Sequence, residues 1–101
     1  MFLSGQIPLD PETGELVEGD FGNQAAQAFK NLVEVCEAAG GRLSDVVKFT
    51  VYLTDLGNFN EVNELMASLL SEPYPARAAI EVSALPRGAL IEVDAIMVNQ
   101  G

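Results

Sequence analysis

The 101-residue chain contains no histidine, no tryptophan and one cysteine, Cys36. The lack of histidine, together with the single cysteine, removes zinc sites and the Ser-His and Cys-His nucleophile pairs. One cysteine cannot form an internal disulfide, which is typical of proteins that stay in a reducing compartment. Any chemistry must therefore use carboxylates, arginine, hydroxyl groups and main-chain groups.

Basic residues are also scarce, since 5 lysines and arginines stand against 15 aspartates and glutamates, for a net charge of −10. Such a surface repels phosphate backbones, and the basic residues are scattered, so we expect no nucleic-acid partner. No apolar run is long enough to span a bilayer, and the N-terminus has no signal-like stretch. We therefore expect a cytoplasmic protein without a membrane partner. Hydrophobic residues make up 49% of the chain, enough for one globular domain over residues 1–101.

The spacing of apolar residues predicts two helices and four strands in the order β, α, β, α, β, β. One predicted helix covers residues 23–39 and ends at Gly40-Gly41; the other opens with a capping box at Asn58 and ends before Pro73. This order favours an α+β fold, with both helices packed on one face of a single sheet. The predicted strands cover residues 2–7, 45–54, 77–84 and 90–98.

The strand at residues 45–54 alternates between apolar and polar side chains, which is typical of a strand with one buried face. Thr50 and Tyr52 fall on the face away from the helices. That face has to meet water or another subunit. The set predicted to face the core is Val47, Phe49, Val51 and Leu53.

The segment around Arg77 carries the densest functional pattern. Arg77 follows a proline-stiffened bend, begins a strand and has alanines on both sides. Small neighbours leave room around a guanidinium, whose planar fork suits a carboxylate ligand. A structural salt bridge to Glu81, Glu92 or Asp94 explains the same pattern, and the residues leave both explanations open.

Two weaker patterns accompany it. Glu92 and Asp94 alternate with apolar residues, so both carboxylates project from the same strand face, which is also what a solvated face looks like. Ser4-Gly5 offers a hydroxyl group beside a flexible backbone, suited to a small ligand's carboxylate or simply to the end of a strand. Cys36 lies on the apolar side of the first helix, where a small core residue is expected.

Several motifs in a fixed order extend this pattern over essentially the whole chain, and together they resemble the Rid family. The signature within them is the Pro-Ala-Arg element with the downstream Leu-Pro and Ile-Glu pairs. The motifs are Ser4-Gly5-Gln6-Ile7-Pro8, Thr13-Gly14, Ala38-Ala39-Gly40, Asp45-Val46-Val47-Lys48, Val51-Tyr52-Leu53-Thr54-Asp55-Leu56, Phe59-Asn60-Glu61-Val62-Asn63, Pro75-Ala76-Arg77, Leu85-Pro86 and Ile91-Glu92-Val93-Asp94-Ala95-Ile96.

The resemblance implies a chorismate-mutase-like fold assembled as a homotrimer, with three clefts between subunits. It also implies a hydrolase similar to 2-iminobutanoate/2-iminopropanoate deaminase, which converts reactive 2-imino or enamine acids into 2-keto acids and ammonia. A protonated 2-imino acid is already electrophilic at C2, so this chemistry calls for no cofactor, metal or covalent nucleophile. The implied partners are the small 2-imino and 2-keto acids and further copies of the chain.

Residue roles follow from the same resemblance. Arg77 would pair with the substrate carboxylate, and Glu92 would position or activate the attacking water. Ala79 stands where many relatives carry a cysteine, which leaves its main-chain groups but no thiol. The other residues implied to line the site are Ser4, Gly5 and Asn63.

The resemblance also implies an N-terminal hairpin, and this chain starts inside the second strand of it. In relatives the first strand supplies an aromatic residue to the cleft, and no residue here matches that position. The alternative function is therefore a non-catalytic, small-molecule-binding or holdase-like trimer. Ribonuclease activity is a third option, which the acidity and the lack of histidine oppose.

Overall fold

The computed structural model describes residues 1–98, so the last three residues of the predicted domain, 99–101, lie outside the described part. Two α-helices and four strands follow in the predicted order, and the α+β fold is confirmed. The sheet has the strand order β1-β4-β2-β3, in which β2 and β3 run parallel and the other pairs antiparallel. The elements are β1 (Phe2–Gln6), α1 (Phe21–Ala38), β2 (Val46–Leu53), α2 (Phe59–Leu69), β3 (Ala76–Glu81) and β4 (Ile91–Met97).

Helix α1 begins two residues earlier than its apolar pattern predicts. Asp20 is its N-cap, and one carboxylate oxygen accepts a hydrogen bond of 3.0 Å from the Asn23 N–H. At the other end Gly40 adopts φ +84°, which confirms the left-handed stop predicted there.

Asn58 is the N-cap residue of α2, as predicted, but the capping box predicted there does not form. Asn58 makes no capping hydrogen bond, because it ends a 3₁₀ turn, Leu56–Asn58, that runs directly into α2. The backbone N–H groups that need a capping acceptor are therefore those at the start of this 3₁₀ turn. The Asp55 carboxylate accepts from the Gly57 N–H at 2.8 Å, and Glu81 of β3 accepts from the Leu56 N–H at 2.9 Å.

The predicted orientation of Val47 is also wrong. The pairs Val46↔Met97 and Lys48↔Ile96 leave one extra residue on β2, which is a β-bulge. The bulge reverses the alternation at this end of the strand. Val46 is 5% exposed and joins the core, whereas Val47 is 45% exposed. The other three residues of the predicted set, Phe49, Val51 and Leu53, are buried as expected.

The core lies between the helices and one face of the sheet. Phe29 of α1 meets Phe49 of β2 edge-on, with ring centroids 6.1 Å apart. Cys36 is fully buried, as predicted, and burial raises the pKa of its thiol. Gln24 is a buried polar residue in this layer, and its side-chain amide oxygen accepts a hydrogen bond of 2.9 Å from the Leu90 N–H. Among residues 1–98, no helix has the length and hydrophobicity needed to cross a membrane.

No helix of residues 1–98 packs on the opposite face of the sheet, which holds a polar pair at its centre. The Tyr52 hydroxyl donates to Asp94 over 2.9 Å. This hydrogen bond is the largest of the effects that raise the pKa of Tyr52 above its ordinary value of about 10; partial burial and the charges of Asp94 and Glu92 follow. We call this surface the open face; its side chains on the two central strands are Lys48, Thr50, Tyr52, Glu92, Asp94 and Ile96.

The bulge in β2 can be tested with two neighbouring substitutions of identical chemistry. Val46→Ala should lower the free energy of unfolding by roughly 1–2 kcal/mol, because it removes buried methyl groups. Val47→Ala should change it by less than about 0.5 kcal/mol. Denaturant unfolding of the two variants measures both values. The reverse order would restore the simple alternation and contradict the bulge.

The polar pair on the open face predicts a pH effect. Because the folded-state pKa of Tyr52 is raised, the stability that the pair contributes is present below about pH 10 and lost as the pH rises through the folded-state pKa. Asp94→Asn should lower the pKa of Tyr52 towards about 10. Ultraviolet titration in a Tyr74→Phe background, where Tyr52 is the only phenol, measures it. An unchanged pKa of Tyr52 after Asp94→Asn would contradict the assignment.

Candidate active site

Arg77 lies on the helix-covered side of the edge strand β3, at the register of the buried Phe49. Its Nη1 donates to the Asn63 side-chain oxygen and lies 3.8 Å from the Met66 sulfur. The Phe59 ring sits over the guanidinium, with its centroid 4.9 Å from Cζ. Helix α2 therefore holds Arg77 through three side chains.

These contacts leave part of the guanidinium free. Asn63 and Met66 both engage Nη1, so among the described residues Nε and Nη2 have no protein acceptor. No ion pair joins Arg77 to Glu81, Glu92 or Asp94 within residues 1–98, and the salt-bridge explanation of the sequence pattern is thereby removed. An anchored cation with an unused edge can accept a carboxylate in its plane.

Two open cavities of about 440 Å³ each flank this cation. Arg77 itself lines the first, together with residues that include Met66 and Tyr74. Phe59 and Ala79 line the second. Ala79 is two residues beyond Arg77 on β3 and therefore points to the same side of the sheet. Since β3 has β2 as its one neighbour, main-chain groups along its outer edge remain available to a ligand.

Glu92 belongs to a second group of residues. It lies on β4, where it pairs with Tyr52, and its side chain is on the open face. Strand β1 has a bulge beside it, because the pairs Leu3↔Ala95 and Gln6↔Val93 leave one extra residue on β1, at Ser4-Gly5. A Cβ at Gly5 would lie 2.6 Å from one Glu92 carboxylate oxygen. A side chain at this position would therefore push the Glu92 carboxylate away from the bulge.

The side chain of Gln6 braces this bulge. Its amide nitrogen donates to the Ser4 carbonyl at 3.1 Å and to the Ser4 hydroxyl oxygen at 3.3 Å. Gln6 has no site role in the sequence prediction, although it is part of the Ser4-Gly5-Gln6 motif. Apart from that motif, nothing in the sequence distinguishes Gln6 from any other polar residue at the exposed end of a strand.

The six predicted site residues thus form two groups rather than one. We call Arg77, Asn63 and Ala79 the arginine half-site; Ser4, Gly5 and Glu92 form the glutamate half-site. The first lies on the helix-covered side of the sheet, as Phe49 does. The second lies by the open face, as Tyr52 does. The sheet separates them, so a small ligand bound in one chain cannot touch both.

Phe59 contacts the arginine half-site, although sequence reasoning assigned it only to the core. Its apolar spacing on the second helix placed it with the buried stripe, and its ring is in fact half-buried over Arg77. An aromatic residue four positions before Asn63, on the same helix face, was the available signal. Within residues 1–98 no group of three or more Cys, Asp or Glu side chains is arranged to hold a metal ion.

Comparisons with known sequences place this arrangement in a wider group. Residues 1–99 match the family model described as endoribonuclease L-PSP. A RutC family protein of Pyrococcus horikoshii is 50% identical over 96 residues, which are 95% of this chain and 76% of that protein. The human 2-iminobutanoate/2-iminopropanoate deaminase is 45% identical over 99 residues, covering 98% of this chain and 72% of the human protein.

Solved structures agree with the sequence comparisons. RidA from an Antarctic Psychrobacter shares 55% identity at a TM-score of 0.90, over 95% of this chain and 77% of that one. TdcF of E. coli, solved with bound serine, shares 37% identity at a TM-score of 0.90, over 98% and 80% of the two chains. Family model, sequence relatives and backbone geometry all span nearly the whole chain, and the protein therefore belongs to the Rid family.

Proposed function

We propose that the protein hydrolyses reactive 2-imino acids, and their enamine tautomers, to 2-keto acids and ammonia. The observation that carries the proposal is the anchored guanidinium of Arg77, whose Nη1 is held by α2 and which belongs to the lining of a cavity. Relatives named 2-iminobutanoate/2-iminopropanoate deaminase, at 45–47% identity, support the same reaction. The chain would act as one Rid domain over residues 1–101.

Arg77 would bind the substrate carboxylate. A guanidinium that is already oriented by Asn63, Met66 and Phe59 loses little freedom when it forms two parallel hydrogen bonds to that carboxylate. This contact fixes C2 of the imino acid a short distance from β3. Main-chain groups near Ala79 then lie within reach of the imine nitrogen.

Glu92 would position the attacking water and accept a proton from it. As the water oxygen attacks C2 of the protonated imine, one proton passes to the Glu92 carboxylate, and a tetrahedral carbinolamine forms. The proton then moves from Glu92 to the nitrogen, and the C2–N bond breaks to release ammonia. The remaining hydroxyl proton passes through the Glu92 carboxylate to that ammonia as C2 becomes a carbonyl. The products are a 2-keto acid and ammonium. The Ser4 hydroxyl and the Gly5 main chain would border the same water.

The separation of the two half-sites supports an assembly. Because the sheet lies between Arg77 and Glu92 in one chain, a complete site needs the arginine half-site of one copy and the glutamate half-site of another. A homotrimer with three equivalent clefts satisfies this requirement with a single repeated interface. The open face, which carries Ile80 at 45% exposure beside the polar Tyr52–Asp94 pair, is suited to burial between copies. A cytoplasmic location stays part of the proposal.

A second candidate is the binding of a small molecule without turnover. TdcF, a structural relative of this chain, was solved with bound serine, an amino acid that has the same carboxylate. Such a role would use Arg77 in the same way but would not need Glu92 as a base. Ribonuclease activity, the third candidate, is supported by the description of the family model and the names of some structural relatives, and a net charge of −10 opposes it.

Removing the arginine fork tests the carboxylate contact. Arg77→Ala should cost about 2–5 kcal/mol of transition-state binding, and Arg77→Lys should fail largely as well, because an ammonium cannot replace two parallel donors. The measurement couples an amino-acid oxidase to the protein and follows imine decay. Arg42→Ala, an exposed arginine outside both half-sites, is the matched control. Wild-type rates in Arg77→Ala would reduce Arg77 to a structural residue.

A pair of isosteric changes on one strand separates catalysis from binding. Glu92→Gln keeps shape and hydrogen bonding but cannot accept a proton, so the rate should fall by roughly 10²–10⁴. Affinity for a 2-keto acid, measured by calorimetry, should change little because Arg77 still holds the carboxylate. Asp94→Asn makes the same chemical change two residues away on the same face and should keep the rate. Equal losses of rate and product affinity in Glu92→Gln would assign Glu92 to the scaffold.

A further inference from the structure

The chain leaving strand β1 is held to helix α1 by one side chain, Asn31. Its amide nitrogen donates to the Ile7 carbonyl at 3.2 Å and to the Leu9 carbonyl at 2.9 Å. Its amide oxygen accepts from Gln27, one helical turn earlier, at 2.8 Å. Both donors and the acceptor are therefore used, which fixes the amide orientation. We call these three hydrogen bonds the Asn31 clamp.

The segment inside the clamp is a tight turn. The Leu9 N–H donates back to the Ile7 carbonyl at 2.8 Å, and Pro8 between them is fully buried. The Pro8 carbonyl in turn accepts from the Val17 N–H at 2.9 Å. The two carbonyls that flank the proline point at α1, and Asn31 binds both of them. The clamp therefore fixes where the chain leaves the sheet.

The residues just before the clamp belong to an edge strand whose pairing is irregular. Strand β1 is an edge strand with β4 as its one neighbour, and the Ser4-Gly5 bulge interrupts even that pairing. A slip of one residue would remove the bulge, turn each following side chain to the other face and take Gly5 away from Glu92. Gln6 forms the strand pair that closes the bulge, and the clamp begins at the next residue. The clamp therefore opposes this slip.

We propose that Asn31 is a positioning residue that holds the Ser4-Gly5 bulge against the Glu92 carboxylate. It touches no reacting atom. It acts through the backbone of β1, and it keeps the glutamate half-site in register while the arginine half-site is held independently by α2. This role rests on the proposed deamination for its effect on rate, whereas its effect on β1 does not.

The test compares two identical substitutions on one helix. Asn31→Asp keeps the side-chain shape but removes both donors. Asn23→Asp is the control: it also removes an amide donor to the same loop, at the Glu18 carbonyl, two helical turns away from the clamp. In Asn31→Asp alone, hydrogen exchange at the β1 amides should rise and kcat should fall by about tenfold or more. Affinity for a 2-keto acid should stay within about twofold, since the arginine half-site is not touched.

A second variant covers the case in which Asn31→Asp does not fold. Gln27→Ala keeps both Asn31 donors but leaves the Asn31 amide oxygen without its hydrogen bond. Hydrogen exchange at the β1 amides should therefore rise, and kcat should fall, by less than in Asn31→Asp. Equal exchange and equal kcat in Asn31→Asp and Asn23→Asp would overturn the proposal, as would a loss of product affinity in proportion to kcat. If the unmodified protein hydrolyses no imine, the proposed function fails, and the exchange comparison still decides the role of the clamp.

Discussion

Successive side chains of a β-strand point to opposite faces of the sheet, and this constraint separates the two charged residues of the candidate site. On the central strand β2, Phe49 marks the helix-covered face and Tyr52 the open face. Arg77 lies beside the first and Glu92 beside the second. No rotamer change moves either residue through the sheet. In the proposed assembly, the two residues would meet on one small substrate because they come from different copies.

Each half-site is held in place by a different physical means. Arg77 is fixed by side chains of α2, in which the Phe59 ring contributes a cation–π contact worth about 0.5–1 kcal/mol at an exposed site. Glu92 has no such side-chain partner among the described residues; the backbone of β1 approaches it at Gly5, where an added Cβ would displace the carboxylate. The arginine half-site therefore depends on packing against a helix. The glutamate half-site depends on the register of β1 at its bulge.

Sequence reasoning predicted the order of the elements because long amphipathic stretches and strict alternation carry a strong signal. It failed where one residue changes the register or the start of an element. Val46 and Val47 are both apolar, so nothing in the sequence marks the bulge that exposes the second of them. Asn58 does stand at the start of α2, but it makes no capping hydrogen bond because it also ends a helical turn capped by Asp55.

The residues of the candidate site came from the family resemblance, and their division between two faces did not. Alternation alone placed Glu92 on a polar face, but the face of Arg77 depends on its register with β2, a pairing between segments almost thirty residues apart. Phe59 and Asn31 were missed for a related reason. Each looks like an ordinary helix residue, and its role appears only when a second element is packed against it.

The central claim is that each site joins Arg77 of one copy to Glu92 of another, and a mixing experiment tests it directly. Chains carrying Arg77→Ala and chains carrying Glu92→Gln are prepared separately, then unfolded, mixed in equal amounts and refolded together. Random assembly should give about a quarter of the clefts both native residues, and with them about a quarter of the wild-type deamination rate. A mixture no more active than the two variants refolded apart would show that Arg77 and Glu92 do not act together across subunits.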